Sequence, residues 1–230
     1  MAGRDVLARV PLFAGLEPPE LDELGAHLRS RRYGRAEYIF QAGDPGSGLY
    51  LIEAGRLKIA LTSPDGKEII IALLGADDFF GDLALLDGEP RSADAVTLEP
   101  CRLWFLDREE FGRFLDGRPA VARKLLAVLS RRLRRNAQLI QDAAFLEVPD
   151  RLARVLLQLA EQEGRHEGSS IVIASRLTQS DLAGMVGATR ESVNKWLRDF
   201  ERQGLIHTER GAIRVLDLAR LRERVREFGP

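Results

Sequence analysis

Cysteine is almost missing from this chain. Cys101 is the only one in 230 residues, so no internal disulfide can form and no iron–sulfur cluster can be ligated. Histidine is scarce too, and His27, His166 and His207 are scattered as surface or packing residues rather than grouped as metal ligands. No apolar run approaches membrane-spanning length. Residues 1–11 lack the apolar stretch of a secretory signal. These absences set the expectation of a cytosolic, cytoplasmic protein with no membrane partner and no metal. Charge of one sign is not in excess either, since the formal net charge is -1. Taken alone that argues against a nucleic-acid binder, but distribution matters more than the sum. Basic residues crowd 131–135 and recur at Arg190, Lys195, Arg198 and Arg202, while acids collect at Asp77, Asp78, Asp82 and Asp87. No nucleophile–base arrangement stands out, so neither an enzyme nor a catalytic cofactor is expected. The glycine-rich run 43–48 lacks the Lys and Ser/Thr of a phosphate loop and reads as a turn.

The composition, 45% hydrophobic and 30% charged, suits a globular chain with a sizeable core. From about Tyr33 to Leu106 it reads as short strands divided by glycine turns: 38–40, 49–52, 57–61, 69–74 and 101–106. Close strands with regular turn signals predict a β-sandwich or barrel. A short helix precedes them, opened by Pro18 and Pro19, with Leu21, Leu24 and Leu28 on one face. Residues 119–144 read as one long helix. Ala122, Leu126, Leu129, Leu133, Asn136, Ile140 and Ala143 step by four and three, the seam spacing of a two-stranded coiled coil. Leu125, Val128 and Leu139 lie beside the seam and are free to pack on the barrel. Two apolar faces exceed what one barrel needs to cover, which favours a homodimer over a helix packed on its own domain alone.

The third region begins at Pro149. Residues 151–162 read as a helix, 164–170 as a loop, 171–173 as a strand and 177–204 as two helices with a break. Strands 205–208 and 212–215 make a hairpin, and a last helix spans 218–228. Within 179–198, Thr178 can cap the first helix and Thr189 the second. Leu182, Ala183 and Val186 point inward, and Gly187 sits at the turn, where positive φ is cheap only for glycine. Val193, Trp196 and Leu197 form the buried face of the second helix. Arg190, Glu191, Asn194, Lys195 and Arg198 occupy its other face, free to enter a major groove, where Arg pairs with guanine and Glu accepts from cytosine. Thr178, Gln179 and Thr189 suit phosphate contacts. The hairpin would be a wing, with Arg210 near a phosphate. An ordinary helical hairpin explains each residue singly, but not their joint helix-turn-helix spacing.

A second motif runs from Phe80 to Ala93. A helix starting near Gly81 offers backbone N–H groups to an anion. Arg91 supplies paired donors, Ser92 a hydroxyl, and Asp82 an acceptor for a sugar hydroxyl. Arg132, on the long helix, is placed to pair with Asp82.

These residues carry a resemblance. Gly81, Leu83, Ala84, Pro90, Arg91, Ser92 and Ala93 are similar to the phosphate-binding cassette of cyclic-nucleotide domains. Thr189-Arg190-Glu191-Ser192-Val193 resembles the recognition-helix start of the cyclic-AMP receptor protein and fumarate-nitrate regulator family. The resemblance spans about 12–225. It implies an α+β chain: a cyclic-nucleotide-binding β-roll (a jelly-roll-like barrel) over 1–118, a dimerisation helix over 119–145, and a winged helix-turn-helix over 146–230. It implies that Gly81, Asp82, Leu83, Ala84, Arg91, Ser92, Ala93 and Arg132 hold a cyclic nucleotide. It further implies that Arg190 reads guanine, Glu191 reads cytosine and Lys195 adds a base contact, on a TGTGA-like palindrome in double-stranded DNA, with RNA polymerase as a partner.

This chain departs from that pattern at three places. Asp82 stands where many members have Glu, Lys195 where the best-known member has Arg, and Asn136-Ala137 where that member has the adenine-holding Thr-Ser. Asn136 can pair with adenine N6 and N7. The expected protein is therefore a cyclic-AMP-gated regulator. In it, ligand bridging the cassette and Asn136 acts through a hinge at 145–148, to set two recognition helices about 34 Å apart. Two alternatives stay open: the same DNA function with cyclic di-GMP or no ligand as input, and a cyclic-nucleotide subunit of an enzyme or channel, which the helix-turn-helix does not fit.

Overall fold

A computed structural model describes residues 2–168, 170–173, 177–209 and 211–226. The chain divides into two compact units, residues 1–62 with 71–135, and residues 63–70 with 136–230.

Helix α1 (Ala2–Arg9), a single turn at Pro11–Phe13 and helix α2 (Pro18–Ala26) open the first unit. The two prolines occupy the first turn of α2, where a missing N–H costs nothing. The Glu20 side chain reaches back to accept from the Glu17 N–H at 2.9 Å. The strands are β1 (Arg29–Tyr33), β2 (Tyr38–Phe40), β3 (Gly48–Ala54), β4 (Leu57–Thr62), β5 (Glu68–Leu74) and β6 (Phe79–Phe80). Helix α3 (Asp82–Asp87) precedes β7 (Asp94–Thr97) and β8 (Cys101–Asp107), and α4 (Arg108–Asp116) follows them. They form two four-stranded sheets, ordered β1-β8-β3-β6 and β2-β7-β4-β5. Every strand expected from the sequence is present. Strands β1, β6 and β7 were not foreseen; β1 is exposed along four of its five residues, so it carries no apolar alternation to read.

Strand β3 separates two cores. Leu49 and Leu51 face a layer of helices with Leu7, Phe13, Phe79 and Phe111. Tyr50 and Ile52, pointing the other way with the period-two alternation of a strand, enter the interior of the roll with Phe80, Leu103 and Phe105. Phe13 meets Phe111 and Phe114 edge-on at 6.4 and 6.3 Å between ring centroids.

Helix α5 (Pro119–Phe145) matches the expected long helix. Val121 and Leu125 are buried in the helical core, and Val128 packs against it. Leu129, expected in the seam, packs there too, one turn beyond Leu125 on the same face. Leu126, Leu133 and Ile140 are 62%, 71% and 71% exposed, a stripe at seven-residue spacing that nothing among the described residues covers.

In the second unit, α6 (Val148–Glu163) buries Leu152, Leu156 and Leu159. Next come β9 (Arg165–Glu167), β10 (Ser170–Ile173), α7 (Gln179–Val186), α8 (Arg190–Arg202), β11 (Ile206–Glu209), β12 (Ala212–Val215) and α9 (Leu218–Arg226). The sheet order is β11-β12-β10-β9. Residues 165–167, read as loop, form a strand paired with β10. All three are exposed and polar, so only the backbone pairing reveals them.

Cys101 is 2% exposed, with Sγ 3.2 Å from the Glu99 carbonyl and 3.3 Å from that of Arg56, and burial pushes its thiol up to about 11. It should resist thiol reagents in the folded protein and label fully in denaturant. Because the folded pKa exceeds the ordinary 9.0, its contribution to stability is complete below that pH and lost as pH rises through about 11. Melting temperatures measured from pH 8 to 11 should therefore fall less steeply in Cys101→Ala.

Candidate functional site

Two surfaces collect the residues singled out above. The first is a cradle around Arg91. Gly81 turns the chain from β6 into α3 at φ 82°, and a Cβ there would stand 2.6 Å from Arg91 Nη1, so only glycine fits. The Gly81 carbonyl accepts from Arg91 Nη1 at 2.8 Å, and the Gly48 carbonyl from Nη2 at 2.9 Å. The Phe40 ring covers the guanidinium, 4.3 Å from Cζ to the centroid. Burial holds the Arg91 pKa below its ordinary value, against the opposing pull of Tyr50, Asp44 and Asp82. The group stays cationic, because guanidinium does not deprotonate in proteins.

Asp82 is 2% exposed and pairs with Arg132, as its position on the long helix predicted. Arg132 also donates to the Phe79 carbonyl and lies 4.8 Å over the Phe79 ring. Two buried polar atoms of this cradle have no partner, Asp82 Oδ2 and Arg91 Nε. Such orphans are costly, and a bound group that accepts from one and donates to the other removes the cost. A phosphate beside a sugar hydroxyl has that chemistry. Ala84 and Ala93 are buried walls, while Leu83 (50% exposed) and Ser92 face outward. Asn136, one turn after Arg132 on α5, is exposed. The sequence reading missed Phe40 and the Gly48 carbonyl, because cation–ring contact and carbonyl direction leave no pattern in residue order.

The second surface is the helix-turn-helix. The Thr178 hydroxyl accepts from the Asp181 N–H at 3.1 Å while the Asp181 carboxylate accepts from the Thr178 N–H at 2.9 Å, a reciprocal capping box. Helix α7 ends at Gly187 with φ 63°. The Ala188 N–H donates to Ala183 O and the Gly187 N–H to Gly184 O, the paired bonds of a Schellman motif. The Thr189 hydroxyl accepts from the Ser192 N–H at 3.2 Å and starts α8.

Val193, Leu197 and Phe200 form the buried face of α8. Trp196, expected in that face, is only half-buried, with Lys195 Nζ 5.3 Å from its ring; Phe200, four residues on, takes the interior place. Arg190, Glu191, Lys195 and Arg198 are exposed and Asn194 half-exposed, as expected. Gln179 Oε1 accepts from Arg190 Nε at 3.4 Å. Glu191's own backbone N–H, the Thr189 hydroxyl and the Arg190 charge hold its carboxyl below the usual range, so it is an acceptor at neutral pH. The wing is tied to α8, since Glu201 accepts from the Thr208 N–H at 2.6 Å and from its hydroxyl at 2.5 Å. Arg210 lies outside the described residues.

Comparison with known proteins gives a domain match in each half of the chain. Residues 30–118 match the cyclic nucleotide-binding domain family and residues 150–224 the Crp-like helix-turn-helix domain family. The chain is similar to the CRP-like cAMP-activated global transcriptional regulator of Mycobacterium tuberculosis, 38% identical over 96% of this chain and 99% of that one. It is also similar to the cyclic AMP receptor protein of Thermus thermophilus, 34% identical over 93% of this chain and 95% of that one. Among solved structures, the c-di-GMP responsive global regulator CLP of Xanthomonas campestris superposes with a TM-score of 0.77 at 25% identity, covering 87% of this chain and 100% of that one.

The caps give a stability test. Thr189→Ala should cost about 1 kcal/mol, and Gly187→Ala about 1–2 kcal/mol because alanine is strained at positive φ. Urea unfolding of the variants measures both, with Thr189→Ser as the neutral control.

Proposed function

The chain belongs to the cyclic-AMP receptor protein and fumarate-nitrate regulator family of transcription regulators, and from that premise we propose a homodimeric, sequence-specific DNA-binding protein gated by cyclic AMP. The observation that carries the ligand half is the pair of buried, unpartnered atoms, Asp82 Oδ2 and Arg91 Nε. Arg91 meets the cyclic phosphate with Ser92 and the backbone around Gly81, Leu83, Ala84 and Ala93. Asp82, braced by Arg132, accepts from the ribose 2′-hydroxyl. The purine edge is assigned to Asn136 on chemistry alone, an amide that matches adenine N6 and N7.

Arg190, Glu191 and Lys195 are the base-reading side chains in this proposal, on a TGTGA-like palindrome. Thr178, Gln179, Thr189, Asn194, Arg198 and Arg210 fix the register on phosphates and neighbouring edges. The assignment divides the chain into a sensor (1–118), a dimerisation helix (119–145) and a DNA-reading domain (146–230). The exposed Leu126, Leu133 and Ile140 stripe supports self-pairing, since a large apolar stripe left in water is a contact surface. RNA polymerase is the expected downstream partner and the cytoplasm the expected compartment. A second reading has support of its own. Ala137 offers no hydrogen bond where a purine-holding hydroxyl is expected, and the Xanthomonas campestris structure similar to this chain is described as c-di-GMP responsive. That reading keeps the DNA half and changes the input.

Titration calorimetry with cyclic AMP, cyclic GMP and cyclic di-GMP tests the input. Cyclic AMP should bind, and Arg91→Met should abolish its heat; heat from cyclic di-GMP alone moves the assignment to the second reading. On a palindromic TGTGA duplex, Arg190→Ala should cost about 1–3 kcal/mol and relax base preference, as judged by gel shift against single-base variants. Leu133→Glu should convert a dimer to a monomer in light scattering, while the sensor still binds nucleotide.

A further inference from the structure

Within the second unit lies a charged cluster that neither proposed surface uses. Asp142, in the last turn of α5, is 8% exposed, one of the few buried carboxylates among the described residues. It pairs with Arg154 on α6 and accepts from Gln138 Nε2 at 2.7 Å. One turn earlier on α6, Arg151 gathers three carbonyls. Its Nη1 donates to Ala143 O and Leu146 O, both at 3.3 Å, and its Nη2 to Gly187 O at 3.3 Å. Its Nε is buried without a hydrogen-bond partner.

The three carbonyls explain one another. The last carbonyls of a helix have no intrahelical donor, and Ala143 O and Leu146 O lie at and just past the end of α5. Gly187 is the left-handed residue that ends α7, and Thr189, two residues later, caps α8. A single planar fork therefore joins the end of α5 to the turn that aims the recognition helix. Leu146 (6% exposed) and the buried Pro149 close the same segment from its apolar side. Residues 145–148, expected from the sequence to be the hinge, are thus spanned by two contacts, the Asp142–Arg154 pair and Arg151 on the carbonyls of Ala143 and Leu146.

We propose that Asp142, Arg154 and Arg151 are positioning residues, a clasp that makes the end of α5, the start of α6 and the Gly187 turn one lever. A rotation of the end of α5 then reaches Arg190 and Glu191 without being absorbed at 145–148. The clasp is a property of the second unit; its effect on effector response rests on the ligand-gated reading above.

The test uses the full-length protein and its variants Asp142→Asn, Arg154→Gln and Arg154→Lys. Hydrogen exchange reads the lever without any effector. Asp142→Asn and Arg154→Gln should raise amide exchange at 143–147 and at 187–192 together, while Arg154→Lys, which keeps the charge, stays near wild type. The same two variants should shrink the factor by which cyclic AMP tightens DNA binding by about tenfold, with cyclic-AMP affinity in the absence of DNA changed by no more than about twofold. Faster exchange confined to residues around 142, with 187–192 and the coupling factor as in wild type, overturns the proposal and leaves a local staple. If the wild type shows no cyclic-AMP effect on DNA, the effector reading fails and the exchange result alone decides the clasp. Should Arg154→Gln not fold, Arg151→Lys, which loses the fork but not the charge, carries the same comparison.

Discussion

A guanidinium withdrawn from water must find acceptors, and the sensor unit is arranged around meeting that need for Arg91. Its two terminal nitrogens are used on the carbonyls of Gly48 and Gly81, and its face on Phe40. Gly48 begins β3, the strand buried on both faces, so that carbonyl is held by two cores at once. Gly81 precedes α3 in a conformation only glycine adopts without strain, so the second carbonyl is fixed by backbone geometry. The cation therefore cannot swing away from the cradle, and its remaining Nε, like Asp82 Oδ2, is left for a partner. Such preorganisation avoids ordering a long side chain at the moment of binding.

The helix-turn-helix unit follows a related logic at its helix ends. Helices α7 and α8 are short, and their ends carry much of their definition: a capping box, a Schellman motif and a threonine cap. Buried Val193, Leu197 and Phe200 set the rotation of α8, which leaves Arg190, Glu191, Lys195 and Arg198 outward. Glu201 then ties the wing to that same helix through Thr208. Those outward side chains are exposed, while the caps and the buried face fix the backbone that presents them.

Much of this was legible in residue order. The strands 49–52 and 101–106, the helix 119–144, the caps Thr178 and Thr189 and the turn at Gly187 are local signals, set by apolar period, hydroxyl position and the steric demand of positive φ. Other features were not legible, each for a physical reason. Strand β9 is exposed and polar, and it exists through pairing with β10. Trp196 resembles a core residue by type, yet the interior beside Val193 is filled by Phe200. Asp142 and Arg154 look like solvated helix charges in sequence, and only the approach of α6 to the end of α5 sets Arg154 against the buried Asp142.

By itself the sequence determined the period of the elements with an apolar face, many of the places where the chain must turn, and the chemistry available at each site, because these depend on neighbours within a few residues. Tertiary structure decided which carbonyls meet Arg91 and Arg151, which polar atoms are left without partners, and which apolar stripe is exposed on the single chain. Those outcomes depend on groups brought together from distant parts of the chain, as when Gly48 reaches Arg91, and no local pattern encodes them.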